Sequence, residues 1–461
     1  MKYSVITFGC RVNQADSLGF EEELRAAGAV AVSPDTADLV VVNTCSVTAS
    51  ADQGARQTIR RIARDNPGAR IVVTGCYATR RPDEVGALPN VAGVVLNDDK
   101  PKLISLPVVR SVRLSLGGPR DRQPDHGLRL HPDLGEADIS TADRFAHGDG
   151  ACGAAIEPGV AGRTAFTLRV QTGCAAPCSY CIIPTTRGVP RSVRVDEVLC
   201  EVERVAAAGF KEIALTGVHL GSYGRDLAPP SSLTELLRHL HAWGASRSSR
   251  RGSEQARERS DVLFRISSLE PMDCSREIVD LVATAEGFAP HFHLPLQHAA
   301  DRLLEAMRRP YTIAEYASLV DAIRTRIPHA SIGSDIIIGF PGETDLDIEQ
   351  LATYLERSPL THIHVFPYSD RPGTPASTMR EKVPGGLIRE RARRIREIGQ
   401  RLTERFRNSQ IGTTHQALTL EDGTLAVTGN YLKVRIPAGR ARNEWVRLRV
   451  TSHHEGELLS G

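Results

Sequence analysis

Nowhere in the 461 residues do 18 apolar residues follow one another, so no stretch has the apolar length that a membrane-spanning helix needs. A basic, then apolar, then small-residue leader is missing too: Met1-Lys2-Tyr3-Ser4 runs directly into an apolar strand, and neither export nor a membrane anchor is expected. Charge of one sign is nearly absent, since 57 Lys and Arg face 55 Asp and Glu for a net +2. No global field therefore points to a polyanion, and any basic surface must be local. Cysteine is sparse at nine residues, which with no leader implies a reducing cytoplasm and thiols kept free for metal rather than disulfides. A chain of this length exceeds one core and implies two or three domains.

Three of those cysteines stand together in Cys174-Ala175-Ala176-Pro177-Cys178-Ser179-Tyr180-Cys181. Thiolates spaced CxxxCxxC on one loop can reach three irons of a [4Fe–4S] cube, leaving the fourth iron open to a chelating small molecule. A thioredoxin-like pair or half a zinc site is the blander reading of Cys178-x-x-Cys181, but no second ligand pair follows at zinc-like spacing. Phe166–Val170 alternates and ends at Gln171-Thr172-Gly173, so the loop leaves the end of a strand, where an α/β barrel keeps its chemistry.

Residues 1–108 alternate short β-rich runs with helical runs, the pattern of a small parallel-sheet α/β domain. Its strands Tyr3–Phe8, Leu39–Val42 and Ile71–Val73 end at Gly9-Cys10, Asn43-Thr44-Cys45 and Thr74-Gly75-Cys76. Ligands gather at the carboxyl ends of parallel strands, so Cys10, Cys45 and Cys76 can meet there and hold a second cluster. A single such cysteine would be only a small buried hydrophobe. Between the second and third strands Arg56, Arg60 and Arg64 share one helix face, either as solvated decoration or as phosphate contacts.

From 109 to 162 the text turns to Gly, Pro, Asp, Arg and His without a period and reads as a linker or insertion, with Cys152 isolated in it. The next part, 163–387, repeats strand then helix: Phe166–Val170, Glu212–Leu215, Val262–Ser267, His291–Leu294, Ser334–Ile338 and His362–Phe366 make a partial (β/α)6 barrel. Polar and glycine residues follow those strands, so Gly217, Gly339 and Gly342 can let a ligand approach the backbone, while Glu270 and Gln297 can hydrogen-bond a ribose or an amino-acid group. A helix N-terminal charge is the alternative reading for Glu270. His291 and His293 point the same way along their strand and are read as lining or packing residues, with no acidic partner beside them. Cys200 and Cys274 are read as structural, and the Ser/Arg-rich stretch 245–260 as a surface loop.

A helix at 388–412 carries eight arginines against Glu390, Glu397 and Glu404 over Ile388–Asn408. It is either basic enough to matter near a polyanion or a salt-bridged exposed helix. From 413 to 461, short strands with a turn at Thr428-Gly429-Asn430 suggest a small β-barrel in which Tyr431, Lys433 and Arg435 alternate onto one face, as single-stranded RNA binding favours.

Nearly the whole chain, the stretches 109–162 and 245–260 excepted, resembles the radical S-adenosylmethionine (SAM) methylthiotransferases. The resemblance rests on Gln171-Thr172-Gly173-Cys174 through Arg187-Gly188, on the segments around Cys10, Cys45 and Cys76, and on Val427–Val434, which is similar to the RNA-binding TRAM domain. Leu215-Thr216-Gly217-Val218-His219 through Asp226, with Phe8-Gly9-Cys10-Arg11-Val12-Asn13-Gln14, looks most like the branch acting on threonylcarbamoyladenosine in tRNA. The branches acting on isopentenyladenosine and on a ribosomal protein fit less well. The resemblance implies two [4Fe–4S] clusters, one on Cys174, Cys178 and Cys181 that binds and cleaves SAM, the other on Cys10, Cys45 and Cys76 that carries the sulfur. It further implies a tRNA anticodon loop as partner, an electron donor such as flavodoxin or ferredoxin, and a cytoplasmic enzyme. The rival from another class is a non-catalytic iron–sulfur RNA-binding protein, which would need no SAM pocket.

Overall fold

The computed structural model describes residues 1–105, 109, 158, 164–249, 261–454 and 457–460. The expected linker at 109–162 lies almost wholly outside them, as does Cys152. The described residues form two compact units, the first taking residues up to 109 together with 172–175 and 182–189.

In the first unit, strands β1 (Lys2–Thr7), β2 (Val30–Ala31), β3 (Leu39–Thr44), β4 (Arg70–Gly75) and β5 (Val91–Val95) form one parallel sheet in the order β2-β1-β3-β4-β5. The central strands LVVVNT and RIVVTG are buried along nearly all their length. Continuous rather than alternating apolarity is what a parallel strand covered on both faces requires. Helices α1 (Arg11–Ala26) and α2 (Ala49–Asp65) supply Phe20 and Leu24 to one apolar cluster and Ala55, Ile59 and Ile62 to the other. Short helices α3 (Cys76–Arg80) and α4 (Pro82–Gly86) follow β4, and α5 (Ile183–Arg187) belongs to the same unit. Of the arginine stripe on α2, Arg56 is committed inside the unit, donating to Tyr77 Oη at 2.9 Å and to Glu84 at 3.0 Å.

The second unit begins with β6 (Phe166–Arg169), α6 (Val195–Ala207), β7 (Glu212–Thr216), α7 (Leu233–Ser249) and β8 (Leu263–Ile266). It continues through α8 (Arg276–Thr284), β9 (His291–His293), α9 (Asp301–Ala306), α10 (Ile313–Arg326), β10 (Ser331–Ile338), α11 (Asp345–Arg357) and β11 (His362–Pro367). All ladders are parallel, in the orders β8-β7-β6 and β9-β10-β11. The two halves join where Ala289 N–H donates to Phe264 O at 2.8 Å and Leu269 N–H to His293 O at 2.9 Å. This is the six-stranded (β/α) half-barrel read from the strand–helix repeat. Residues 245–249, expected in a loop, instead continue α7, because a helix with Leu236, Leu237 and Leu240 buried carries a polar end along with it.

Helix α12 (Gly385–Ser409) buries Ala392, Ile395, Ile398 and Leu402. Three of its eight arginines pair with acids on α11 or just before it, Arg391 with Glu343 and Asp345, Arg394 with Glu349 and Arg401 with Glu356, and a fourth, Arg393, pairs with Glu397 on the same helix. The salt-bridged reading of this helix is the one the packing supports.

Strands β12 (Thr414–Leu420), β13 (Leu425–Thr428), β14 (Lys433–Arg435), β15 (Trp445–His454) and β16 (Glu457–Ser460) close into a barrel in the order β12-β13-β14-β16-β15. The unit is one piece with the half-barrel. Buried Arg265 on β8 bonds Glu212 at 2.7 Å and Gly429 O at 2.9 Å, and its guanidinium lies 4.6 Å from the centre of the Tyr431 ring. Asn430 Nδ2 donates to His329 O at 2.9 Å.

Candidate metal centres

Strands β1, β3 and β4 end side by side, and the residues after them are fixed by a lattice of side-chain amides and hydroxyls. Asn13 Nδ2 donates to Phe8 O and Thr44 O at 2.8 and 2.9 Å, and Asn43 Nδ2 to Asn13 O and Ser17 Oγ at 2.9 and 3.0 Å. Thr44 Oγ1 donates to Thr74 O at 2.5 Å. Buried polar groups of this kind hold one geometry because breaking any bond strands its partner.

Cys10, exposed, precedes α1; Cys45 and Cys76, both buried, follow β3 and β4. Two glycines make the approach possible. A Cβ on Gly9, at φ +88°, would lie 2.5 Å from Cys45 Cβ and 2.6 Å from its Sγ; one on Gly75, at φ +97°, would lie 2.2 Å from Thr44 O. The thiols feel one another: burial pushes Cys45 up to about 12, with the charges of Cys76 and Cys10 adding to the rise.

Cys76 goes the other way. Burial raises it, but the cations of Arg187 and Lys100 outweigh that and bring it below the usual thiol value. Both cations are buried on one carboxylate, Asp16, with Lys100 Nζ at 2.5 Å and Arg187 at 3.5 Å. Arg187 also bonds Asn13 Oδ1, and Asn97 Nδ2 lies 3.7 Å from Cys76 Sγ. Two cations against one anion leave a net positive charge beside Cys76, which favours its thiolate, the form that binds iron. In the same unit Cys174 N–H donates to Gly188 O at 3.0 Å.

In the second unit the loop 176–181 is pinned by Ser179, whose N–H and Oγ donate to Met307 O at 3.1 Å and Ala306 O at 2.7 Å. Cys181 N–H donates to Cys178 O at 3.2 Å. Arg309 Nη1 donates to Cys178 Sγ at 3.2 Å, while the same guanidinium pairs with Glu270. Tyr311 holds Arg309 from behind, accepting from its Nε at 3.1 Å and donating to Pro295 O at 2.9 Å.

The other residues expected near a ligand follow the barrel strands. Gln297 is buried with φ +70° and bridges β10, its N–H donating to Asp335 O at 2.8 Å; a non-glycine residue held there stores strain of ~1–3 kcal/mol. At Gly217 an added Cβ would sit 2.9 Å from Gln171 Oε1, and at Gly339 2.5 Å from Ile388 Cγ1. Gly342, at φ +83°, donates to Glu381 O at 2.7 Å. The segment Val218–Asp226 is organised by a residue that local spacing did not reveal. Asp273 accepts from His219 Nε2 and Arg225 Nη2, each at 2.8 Å, and a Cβ on Gly221 would fall 2.2 Å from its Cβ.

Tyr431, expected on a strand with Lys433 and Arg435, stands instead in the preceding turn at φ +66°, with its ring against Arg265 and 5.1 Å from His291. The left-handed turn breaks the alternation. Lys433 and Arg435 are exposed on β14, and Arg435 pairs with Glu457 at 2.8 Å.

Residues 2–97 match the uncharacterized protein family UPF0004, and residues 168–355 match the radical SAM superfamily. The chain is 34% identical to the threonylcarbamoyladenosine tRNA methylthiotransferase MtaB of Aquifex aeolicus, over 94% of this chain and 96% of that protein. It is 31% identical to the tRNA-2-methylthio-N(6)-dimethylallyladenosine synthase of Corynebacterium efficiens, over 91% of this chain and 75% of that one. Among solved structures, the radical SAM methyltransferase TsrM from Kitasatospora setae superposes with a TM-score of 0.53 at 17% identity, over 82% of this chain and 74% of that chain. That likeness is one of fold.

Proposed function

The chain belongs to the radical SAM tRNA methylthiotransferases, and from that premise we propose that it adds a methylthio group to C2 of threonylcarbamoyladenosine beside the tRNA anticodon. The observation that carries the proposal is the meeting of Cys10, Cys45 and Cys76 at the ends of successive parallel strands, under the net positive charge of Arg187 and Lys100 over Asp16. The donor set fits an iron–sulfur cluster.

In this reading Cys174, Cys178 and Cys181 hold one [4Fe–4S] cluster, and Cys10, Cys45 and Cys76 hold the other. When bound, the two supply the electron that cleaves SAM and the sulfur to be transferred. The chain's own contribution is placement. Arg309 steadies Cys178 and sets the direction of the Glu270 carboxylate. Glu270, Gln297 and the strand-end glycines at 217, 339 and 342 form the SAM-binding edge, the closed β-barrel with Lys433 and Arg435 engages RNA, and a flavodoxin or ferredoxin supplies electrons. Holding two clusters and one base in register is worth several kcal/mol of barrier through orientation alone.

Anaerobic iron and sulfide analysis of reconstituted protein tests the arrangement: near eight irons by the count of two four-iron cubes, falling to near four in the Cys10/Cys45/Cys76→Ala variant. Four in both would remove the second cluster. The substrate is tested by offering tRNA bearing threonylcarbamoyladenosine beside tRNA bearing isopentenyladenosine and analysing the nucleosides. Methylthiolation of the second alone would move the chain to the branch of its Corynebacterium relative.

A further inference from the structure

The half-barrel has a second group of metal-ligand side chains that neither cysteine set uses. Helices cover one face of its second sheet: Tyr316 of α10 donates to Leu294 O at 2.8 Å and bonds Ser334 Oγ at 3.1 Å, and Gly399 of α12 lets Ile363 approach to within 2.7 Å of where its Cβ would stand. The opposite, concave face carries Gly333 and Asp335 of β10 between His293 of β9 and His362 and His364 of β11, in register. Each of the three histidines offers a ring nitrogen such that all three nitrogens lie within 4.8 Å of one another.

A packing cluster of imidazoles explains ring centroids 5.5–6.1 Å apart, but it does not explain the second set of bonds. His293 Nε2 is held by Asp335 Oδ1 at 2.9 Å, and His362 Nδ1 by Thr361 Oγ1 at 3.0 Å. A carboxylate accepts, so the His293 proton stays on Nε2 and its Nδ1 keeps the lone pair. The remaining nitrogens of these two rings converge on the gap at Gly333, where a Cβ would lie 2.2 Å from His362 Nε2 and 2.9 Å from His293 Nδ1. A residue without a side chain at that point, and outer nitrogens tied to a carboxylate and a hydroxyl, are what a histidine-ligated metal ion needs around it.

We propose that His293 Nδ1, His362 Nε2 and a ring nitrogen of His364 bind a divalent transition-metal ion, zinc fitting best, on the concave face of the half-barrel. Three imidazoles leave a tetrahedral ion one open position for water or another oxygen ligand. His364 is exposed and so leaves a route in from solvent. This site is independent of the two cysteine sets and stands whichever substrate the enzyme takes.

The test uses the full chain with its iron–sulfur clusters reconstituted anaerobically, titrated with Zn²⁺ and read by metal analysis and zinc-edge X-ray absorption. One zinc per chain is expected, with a shell of nitrogen and oxygen at about 2.0–2.1 Å. His364→Ala should weaken binding at least ~100-fold and Asp335→Asn ~10–100-fold, the range for removing an outer-shell partner, with iron content unchanged as the measure of folding. A zinc shell dominated by sulfur near 2.3 Å, or binding that survives His364→Ala, would overturn the site, and the wild-type spectrum decides even if a variant misfolds.

Discussion

Arg309 reaches the sulfur of Cys178 with one nitrogen, 3.2 Å away, and the carboxylate of Glu270 with another. A cation that donates to a cluster thiolate favours the more negative, reduced cluster, since hydrogen bonds to sulfur are among the determinants of cluster potential. Arg309→Gln should therefore lower the potential of the cluster proposed on Cys174, Cys178 and Cys181. Each ~1.4 kcal/mol of differential stabilisation corresponds to about 60 mV for one electron. Potentiometric titration monitored by electron paramagnetic resonance reads the shift; an unchanged or higher potential would refute the role given to Arg309.

Asp16 is the only carboxylate among the described residues paired with both Lys100 and Arg187. Asp16→Asn leaves two buried cations facing each other without their anion, a loss of about 3–5 kcal/mol. Adding Lys100→Met should restore at least half of that in chemical denaturation, because it removes one of the stranded charges. No recovery in the double variant would mean that the cost arises elsewhere.

Gly75→Ala is expected to be more damaging than its size suggests. The position combines φ +97° with a Cβ 2.2 Å from a backbone oxygen of the neighbouring strand, so neither rotation nor a side-chain shift relieves it. We expect a loss above ~3 kcal/mol together with loss of the iron proposed to sit on Cys10, Cys45 and Cys76, whereas Gly28→Ala, at φ +77° with nothing within 4 Å, should cost only ~1 kcal/mol. Equal effects at the two sites would remove the steric argument.

Burial brings His298 down to about 4, and its Nδ1 accepts the Ala300 N–H at 3.1 Å, so the ring is neutral in the folded protein. Between about pH 6.5 and 4 the unfolded chain holds the proton and the folded one does not. Stability is thus complete above pH 6.5 and falls by ~1.4 kcal/mol per pH unit toward pH 4, ~3 kcal/mol in all. His298→Gln should flatten that slope in denaturation curves taken across the window; a slope unaltered by the substitution would assign it to other groups.

What could be read in the chain was whatever is local. Strand period, a cysteine after each of three strands and the CxxxCxxC loop are short-range patterns, and the parallel sheet, half-barrel and closing β-barrel follow from them. The partners were hidden by distance in sequence. Lys100 finds Asp16 across 84 residues, Arg187 finds Asn13 across 174, and Asp273 finds His219 across 54. Asp335 stands beside His293 from a different strand, 42 residues on, which is why the histidines looked as if they had no acidic neighbour. Tyr431 was misplaced for another reason: its left-handed backbone comes from the turn, and alternation carries no sign of it.

The Arg265 cluster also dictates an order of manufacture. Its guanidinium sits in the floor of the half-barrel beside Glu212, but its remaining acceptor and its aromatic cover come from Gly429 and Tyr431. While a ribosome is still translating the residues in between, that ion pair is open to water on one side. The floor is finished only once the chain has emerged past Tyr431. A nascent protein stalled before that point would hold a half-barrel whose Arg265–Glu212 pair is still hydrated and lacks its cover from Gly429 and Tyr431.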